Sequence, residues 1–348
     1  MSRPLHVRCV RDDDHAGSVR LHHGWRTMNA AYRGAGIRLG LIAVMSVMVC
    51  FAPVRAQTCT FSMSNVDFGN VDAFATEAVD LLAQATFTCT GASTPYIHAC
   101  ASIGSTRLMT GPGSVKLSYD LYIDSARTRP WGSLWEANAN NVLTAEIPIA
   151  SGSGSVTVPV YVRIFGGQSQ LSAGAYSQGF LGAGYTGYNV IGYTSGTPPT
   201  CTTSSGPQNA FSFTTRATVI SNCTVSATNI DFGQQGVIRA ATTSTGVVST
   251  TCTKGANYTI ALNTGSGTGA TFAERRMTRS GGSETLGYAL YRDSGRTQVW
   301  GDGSGGSGTV SGSGSGAAQT ATVYATLPMQ TSPPPGSYAD TITVTVTF

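Results

Sequence analysis

The chain contains YDLYIDSARTRPWG at residues 119–132, and the stretch returns as YALYRDSGRTQVWG at residues 288–301 with nine of its fourteen positions identical. Alternate residues are apolar in both copies: Leu117, Tyr119 and Leu121 in the first, and Leu286, Tyr288 and Leu290 in the second. This period of two is typical of a β-strand with one buried face. The stretch therefore predicts the same strand twice in one chain.

The repetition extends well outside that stretch. CTFSMSNVDFG at Cys59 matches CTVSATNIDFG at Cys223, and the spacing from this cysteine to the repeated tryptophan is 72 residues in one copy and 77 in the other. Copies of this size are domains and not short solenoid repeats. Short alternating segments separated by Gly, Ser, Pro and Asn are typical of β-sandwiches. We expect an all-β protein with two tandem sandwiches, at residues 57–220 and 221–348.

Residues 1–56 form a leader of different composition, with four of the five histidines and eight of the 21 Lys and Arg residues. From Met28 it has the arrangement of a secretory signal peptide: two arginines, an apolar run at 39–52, and Val-Arg-Ala before a cleavage site after Ala56. We expect translation to begin at Met28. The apolar run is shorter than the roughly 20 residues that span a bilayer, so we expect export through the inner membrane and no membrane span after cleavage.

Cleavage changes the charge, because it leaves 13 basic and 14 acidic residues from residue 57 onward. A nearly neutral chain offers no basic patch for nucleic acid. Six cysteines remain, and an even number in an exported chain favours disulfides. The second copy has only Cys223 and Cys252, so these two are expected to bond, and Cys59 and Cys89 by equivalence. Cys100 and Cys201 then form the third pair.

The two copies differ at their ends. PPPGSYADTITVTVTF at residues 333–348 matches LSAGAYSQGF at residues 171–180, but the first copy has a further strand, FSFTTRATVI at 211–220, which the second lacks. We expect the last segment to border a hydrophobic groove, with these residues on one face: Ile342, Val344, Val346 and Phe348. An open groove and an unpaired strand edge are unfavourable. A strand from another polypeptide would fill both, as in donor-strand complementation.

Three motifs together carry a resemblance: the two Cys…Asn-x-Asp-Phe-Gly openings, Tyr-x-Leu-Tyr-x-Asp followed by Trp-Gly, and the ending Gly-x-Tyr-x-Asp-x-Ile-x-Val-x-Val-x-Phe from Gly336. The chain resembles the spore coat protein U domain family, subunits of archaic chaperone–usher pili. The resemblance covers residues 57–348, twice over. It implies immunoglobulin-like sandwiches, the second incomplete, that a periplasmic chaperone holds until an outer-membrane usher joins each subunit to the next one, which donates a strand.

A two-domain member of this family looks like the tip adhesin, with a binding domain followed by a pilin domain. Only Gln57 and Thr58 are expected to precede Cys59, which leaves nothing to donate to a neighbour. Gln178 stands where the second copy has Asp340, which fits a first domain that completes itself. We therefore expect a pilus tip at the cell surface that mediates attachment and biofilm formation.

Adhesive residues are expected where the first copy has no counterpart in the second, because shared residues such as Trp131 more simply serve the fold. Three such stretches are 94–98, 133–141 and 180–199. Their apolar residues are the candidate contacts with an abiotic or host surface: Tyr96, Ile97, Leu134, Trp135, Phe180, Leu181, Tyr185, Tyr188 and Tyr193. Loops at the end of a sandwich commonly carry recognition. The alternative is that part of 180–193 is a strand whose aromatic residues belong to the core.

An enzyme is the opposing hypothesis, and the sequence argues against it. His98 is the only histidine after residue 56, which excludes a multi-histidine metal site, and no cofactor is expected. Asp120 with Glu136, or with Glu146, would be a candidate glycosidase pair, although a place on the solvated surface is the expected role of these carboxylates. Two further alternatives are a structural coat or shaft subunit without a ligand and a free secreted carbohydrate-binding protein. The scarcity of Asp, Asn and Arg in the candidate loops favours non-specific hydrophobic attachment over sugar binding.

Overall fold

The computed structural model describes residues 56–104, 106–134, 141–182, 184–201 and 209–348. Residues 1–55 of the leader, Trp135 and Glu136 lie outside the described residues. The strands, in chain order, are β1 (Thr58–Met63), β2 (Val66–Val71), β3 (Val79–Thr90), β4 (Tyr96–Ile103), β5 (Leu108–Thr110), β6 (Lys116–Tyr122), β7 (Leu143–Pro148), β8 (Ser153–Ile164), β9 (Gly174–Leu181), β10 (Thr186–Tyr193), β11 (Ser212–Val219), β12 (Cys223–Ala227), β13 (Thr242–Cys252), β14 (Asn257–Leu262), β15 (Arg275–Arg279), β16 (Thr285–Tyr291), β17 (Val310–Ser313), β18 (Ala318–Leu327), β19 (Tyr338–Ala339) and β20 (Val344–Thr347).

The predicted all-β class is confirmed. The described residues contain one short 3-10 helix, Pro112–Ser114, and no α-helix. None of their helices is long and apolar enough to cross a membrane.

Each repeat contains one larger sheet and one three-stranded sheet. In repeat one, β1-β3-β8-β6-β5-β9-β11-β2 form the larger sheet and β10-β4-β7 the smaller; in repeat two, the corresponding sheets are β12-β13-β18-β16-β15-β19 and β17-β14-β20. Alternation decides which side chains meet between the sheets: Ala83, Ala85 and Phe87 of β3 are buried, whereas the intervening side chains are exposed or half-buried. The hydrophobic cores are separate, and their buried residues lie within 61–219 and 238–327.

The repeated stretch forms the centre of each core. Trp131 and Trp300 are both fully buried, and each indole N–H donates to a carbonyl of the three-stranded sheet, that of Ala101 at 2.8 Å and that of Ile260 at 3.1 Å. These residues serve the fold because a buried indole needs both packing and a hydrogen-bond acceptor.

One arginine in each repeat donates to backbone carbonyls of the core and was missed in the sequence; it is buried in repeat two and half-buried in repeat one. Arg275 is fully buried, and its guanidinium donates to the carbonyls of Asn263, Phe272 and Trp300 at 3.0, 3.1 and 2.7 Å. Arg107 donates to the Trp131 carbonyl at 2.7 Å in repeat one. Burial lowers the pKa of Arg275. The available signal was the shared Arg-x-Met-Thr at residues 107 and 275.

Candidate functional sites: acceptor groove and outer sheet face

In repeat one, β11 closes the sandwich. It pairs with β9 antiparallel over eight residues and with β2 parallel. Its inward side chains are all buried: Phe211 just before the strand, then Phe213, Thr215, Ala217 and Val219. Repeat one therefore takes the strand that fills its core from its own chain.

The phenylalanines at the start of β11 contact two other strands of the larger sheet. The Phe213 ring stacks on Phe180 of β9 with centroids 4.5 Å apart, and Phe211 meets Phe61 of β1 at 4.3 Å. With β11 in place, Phe61 is 7% exposed. Large aromatic residues at these positions contribute most of the apolar area that the strand buries.

Residues 221–348 contain no counterpart of β11. The segment that corresponds to β9 is interrupted, since residues 340–343 between β19 and β20 form no strand. The segment Ile230–Phe232 corresponds to Val66–Phe68 of β2 and also forms no strand. Both are the segments that β11 pairs with in repeat one. We call the gap between residues 230–232 and residues 338–347 the acceptor groove.

Side-chain exposure shows that this groove is open. Val225 stands where repeat one has Phe61 and is 44% exposed. Ile230 and Phe232 are half-buried, whereas their counterparts Val66 and Phe68 are buried. Of the predicted groove residues, Ile342, Val344 and Val346 are half-buried against the second core, and Phe348 is exposed. The groove thus leaves apolar surface exposed that repeat one covers.

The acceptor groove has one polar group at its centre. The hydroxyl of Tyr288 donates to Asp340 Oδ2 at 2.7 Å. Asp340 Oδ1 accepts from both the amide and the hydroxyl of Ser266, each at 2.7 Å. Burial, followed by the hydrogen bond to Asp340, raises the pKa of Tyr288, which stays protonated. The phenol is therefore a fixed donor toward Asp340.

The second candidate site is the outer face of the three-stranded sheet in repeat one, which turns away from the core. Glu146 of β7 contacts both other strands of this sheet: its Oε1 pairs with His98 Nδ1 of β4, and its Oε2 accepts the Tyr193 hydroxyl of β10 at 2.6 Å. Tyr193 also stacks on Tyr96 with centroids 5.4 Å apart. The hydrogen bond to Glu146 is the main reason why the pKa of Tyr193 is raised to about 12.

A disulfide closes this face. Cys100 of β4 bonds to Cys201, and Leu134 and Val142 pack against the pair. The other disulfides are Cys59–Cys89 and Cys223–Cys252, so the structure contains the three pairs expected from the repeat.

His98 lies beside this disulfide, which raises the question of chemistry. Its Nε2 is 3.3 Å from Cys201 Sγ, and the ligand atoms of His98, Cys100 and Cys201 lie within 4.8 Å of one another. Both sulfurs are bonded to each other, so neither is a thiolate that would attack a substrate or bind a metal. Asp120 and Glu146, considered as a carboxylate pair, lie on β6 and β7 of different sheets.

The structure separates the nine candidate contacts into two groups, with Trp135 outside the described residues. Tyr96, Leu181 and Tyr185 are exposed, and Tyr193 is half-buried. The other four are in the interior: Ile97, Leu134, Phe180 and Tyr188. The prediction that these four contact a surface is wrong, because β4, β9 and β10 turn Ile97, Phe180 and Tyr188 inward and Leu134 is covered beside the disulfide.

Repeat two contacts one end of repeat one. The Ala173 amide, which precedes β9, donates to the Lys254 carbonyl at 3.1 Å. Across the same junction, the Asn222 side chain donates to Asp72 Oδ2 at 2.7 Å. The start of β9 therefore faces repeat two.

The stacked tyrosines lie at the opposite end. β11 is antiparallel to β9, and Asn209, just before β11, forms an antiparallel bridge with Tyr188 of β10. β9 and β10 therefore run in the same direction, away from repeat two. Tyr193 is the last residue of β10 and pairs with Tyr96. Each of these eight-residue strands spans about 23 Å. Leu181 and Tyr185 flank the connection between β9 and β10 and lie nearer the middle.

Comparison with known protein families gives an extensive match. The model of the Spore Coat Protein U domain matches residues 45–180 and 209–345. A relative, Protein U of Myxococcus xanthus, is 32% identical over 108 residues, which are 30% of this chain and 59% of that protein. The chain thus covers less than two thirds of the length of that relative.

Two solved structures are similar at low identity. The chaperone–tip adhesion subunit complex CsuC–CsuE of the archaic Csu pili of Acinetobacter baumannii is 17% identical, with a TM-score of 0.47 over 84% of this chain and 100% of that chain. The CupB6 tip adhesin of Pseudomonas aeruginosa is 10% identical, with a TM-score of 0.34 over 83% of this chain and 93% of that chain.

Proposed function

This chain belongs to the Spore Coat Protein U domain family, and we propose that it is a non-enzymatic pilus subunit whose second repeat accepts a strand from another subunit. One observation carries the proposal: β11 fills repeat one from within, and the equivalent position in residues 221–348 is the open acceptor groove. A periplasmic chaperone would occupy this groove first, and an outer-membrane usher would exchange it for the strand of the next subunit.

Strand addition solves two problems of the acceptor groove together. An incoming strand would pair with residues 340–343 and with residues 230–232, neither of which forms a strand. Its inward side chains would cover Val225 and Phe232, as β11 covers Phe61 and Phe68. Backbone pairing supplies affinity and alternate side chains supply specificity in this mode of binding.

The position that fits best is the tip of the fibre. Repeat one has its own β11, so its described residues offer no equivalent groove. The predicted cleavage after Ala56 would leave two residues before Cys59, too few for a donor strand. A subunit that accepts but does not donate ends the fibre, with repeat one outermost.

Attachment is then the role of repeat one. Tyr96 and Tyr193 lie at the end remote from repeat two and stack on each other, and exposed aromatic groups bind surfaces through their apolar area. Leu181 and Tyr185 form a second exposed apolar group. We propose that these four residues contact an abiotic or host surface and thereby support biofilm formation, with Trp135 as a further candidate.

A carbohydrate ligand is a second candidate, favoured by the Glu146 carboxylate that lies next to the stacked tyrosines. A carboxylate oxygen and an aromatic face together would bind a sugar hydroxyl and the apolar face of its ring. Inhibition of attachment by a free sugar distinguishes this ligand from a non-specific apolar surface.

The assembly proposal is tested by expressing residues 57–348 in the periplasm with and without the cognate chaperone, and again with a donor strand fused after Phe348. We expect soluble protein only with the chaperone or with the fused strand. A stable monomer without either would refute the open-groove proposal and favour a free secreted protein.

The attachment proposal is tested with two double variants, Y96S/Y193S and L181S/Y185S. Each is expected to leave piliation unchanged and to lower attachment to plastic or to host cells. L82S is the matched control, because Leu82 is exposed on β3, outside both groups. Substitution of Leu134 would test stability instead, since this residue is buried against the disulfide. Unchanged attachment in both double variants would refute the assignment.

A further inference from the structure

The strand that fills repeat one has one polar residue among its inward side chains. Thr215 is fully buried between Phe213 and Ala217. Its hydroxyl donates to the Tyr119 hydroxyl at 2.8 Å, and the Tyr119 hydroxyl donates to Gln178 Oε1 at 2.8 Å. Thr215 is also paired directly with Gln178 in the register of β11 and β9. The threonine therefore completes the hydrogen bonds of a buried phenol.

Repeat two contains the same arrangement without the threonine. Tyr288 corresponds to Tyr119 and Asp340 to Gln178, and the Tyr288 hydroxyl donates to Asp340 at 2.7 Å. Phe232 meets the Tyr288 ring edge-on at 6.3 Å, as Phe68 meets Tyr119 at 6.5 Å. Within residues 209–348, no group donates to the hydroxyl oxygen of Tyr288. The tyrosine hydroxyl oxygen that accepts a hydrogen bond from Thr215 in repeat one thus accepts none from residues 209–348 in repeat two.

The hydrogen-bond acceptor of the buried tyrosine also differs in charge between the two repeats. The Tyr288 hydroxyl donates its hydrogen bond to a carboxylate in repeat two, whereas the Tyr119 hydroxyl donates its hydrogen bond to an amide oxygen in repeat one. A hydrogen bond to a carboxylate is stronger and makes the phenol oxygen a better acceptor. A strand residue that offers a hydrogen is complementary to this pair, and an acidic residue would be repelled by Asp340.

We propose that the donor strand of this groove carries threonine or serine at the inward position directly opposite Asp340, with apolar inward residues on either side. The inference rests on the proposed function and specifies its partner. The strand runs antiparallel to β19 and β20, in the register in which β11 pairs with β9. An apolar residue at that position would bury the Tyr288 hydroxyl oxygen without a donor, which is unfavourable. The groove thereby selects its partner by one hydrogen bond within an otherwise apolar contact.

The experiment uses the β11 strand as a donor of known fit. Residues 209–220 are fused after Phe348 through a flexible linker, in residues 57–348, with three matched changes in the fused copy: T215S, T215V and T215D. Hydrogen exchange of the β14 amides reports opening of repeat two alone. We expect T215S to retain protection within about threefold, T215V to lower it on the order of tenfold, and T215D to lower it further.

Y288F supplies the discriminating control, because it removes the acceptor and leaves the ring. In the Y288F protein, the fused threonine and valine strands are expected to give equal protection. If valine protects as well as threonine when Tyr288 is present, the selection proposed here is wrong, although the groove still accepts a strand. If no fused strand raises protection or replaces the chaperone, the acceptor groove itself is refuted, and this inference is refuted with it.

Discussion

Phe211 packs against Phe61 with their ring centroids 4.3 Å apart, although 150 residues separate them in the chain. The contact joins the last strand of repeat one to its first. In repeat two, the residue that corresponds to Phe61 is Val225, which is exposed. The contrast identifies the β11 contact as the difference between a closed and an open sandwich.

Replacement of Phe211 tests how far β11 stabilises repeat one. We expect F211A to destabilise repeat one by about 3–5 kcal/mol, because it leaves a cavity beside Phe61 and Trp131. The measurement is the unfolding free energy in denaturant, monitored through hydrogen exchange of the β3 amides. S212A is the control, because Ser212 is exposed on the same strand. An F211A protein as stable as S212A would show that β11 contributes little to this core.

The buried arginine of repeat two is expected to be essential to its stability. R275M leaves three carbonyls without their donor, and we expect a loss of about 2–4 kcal/mol in the unfolding free energy. R275K keeps the charge but lacks the planar fork, so it is expected to recover only part of this loss. R276M, at the half-buried neighbour that pairs with the exposed Glu274, should be close to wild type. Equal stability of R275M and R276M would contradict the role assigned to Arg275.

Asp80 gives repeat one a dependence on acid pH. Its hydrogen bonds with Arg163, at 2.7 and 2.8 Å, lower its pKa, and Arg127 adds to the effect. Because the pKa of Asp80 is lower in the folded protein, the ionised carboxylate stabilises the fold at pH values above the ordinary pKa of 3.8. This stabilisation is lost as the pH falls through the folded-state pKa.

We therefore expect D80N to lower the thermal midpoint at pH 7 by about 1–3 °C, a small effect because the pair is partly exposed. The difference from wild type should disappear as the pH falls through the lowered folded-state pKa of Asp80, and it should shrink in high salt. E77Q, at an exposed carboxylate, is the control. A difference that persists unchanged at low pH would mean that the asparagine acts through packing and not through charge.

Tyr193 provides a spectroscopic test of the outer sheet face. Its pKa of about 12 lies above the ordinary value, so the Glu146 contact stabilises the fold below about pH 10 and is lost as the pH rises through 12. We expect E146Q to lower the tyrosinate midpoint of this residue toward 10. The residue is identified by subtracting the titration of Y193F. An unchanged midpoint in E146Q would show that Glu146 does not hold this hydroxyl.

The sequence allowed the repeated parts of the fold to be predicted, because each pattern could be checked against its second copy. The role of Trp131 followed from its twin, and the acceptor groove was proposed from comparison of the two ends. The direction of the aromatic residues in 180–193 could not be derived in this way, since this segment has no full counterpart. Phe180 and Tyr188 are strand residues that face the core, which is the alternative interpretation of the segment.

The outer sheet face was beyond sequence reasoning for a different reason. Glu146 meets His98 and Tyr193 across 48 and 47 residues, and both contacts depend on strand pairing within β10-β4-β7. A single sequence gives no register for strands so far apart. The burial of Leu134 likewise depends on the disulfide between Cys100 and Cys201.

The direction of β11 also bears on mechanical force. Val219 ends this strand and leads directly into repeat two. If the chain is the proposed tip subunit, tension between an attached surface and the fibre would pull β11 along its own axis. The hydrogen bonds of all eight residue pairs between β11 and β9 would then bear the force together, in shear, and would not break one after another. A donor strand lying antiparallel to β20 would be loaded in the same geometry. The protein would thus hold under flow through interactions that are individually weak.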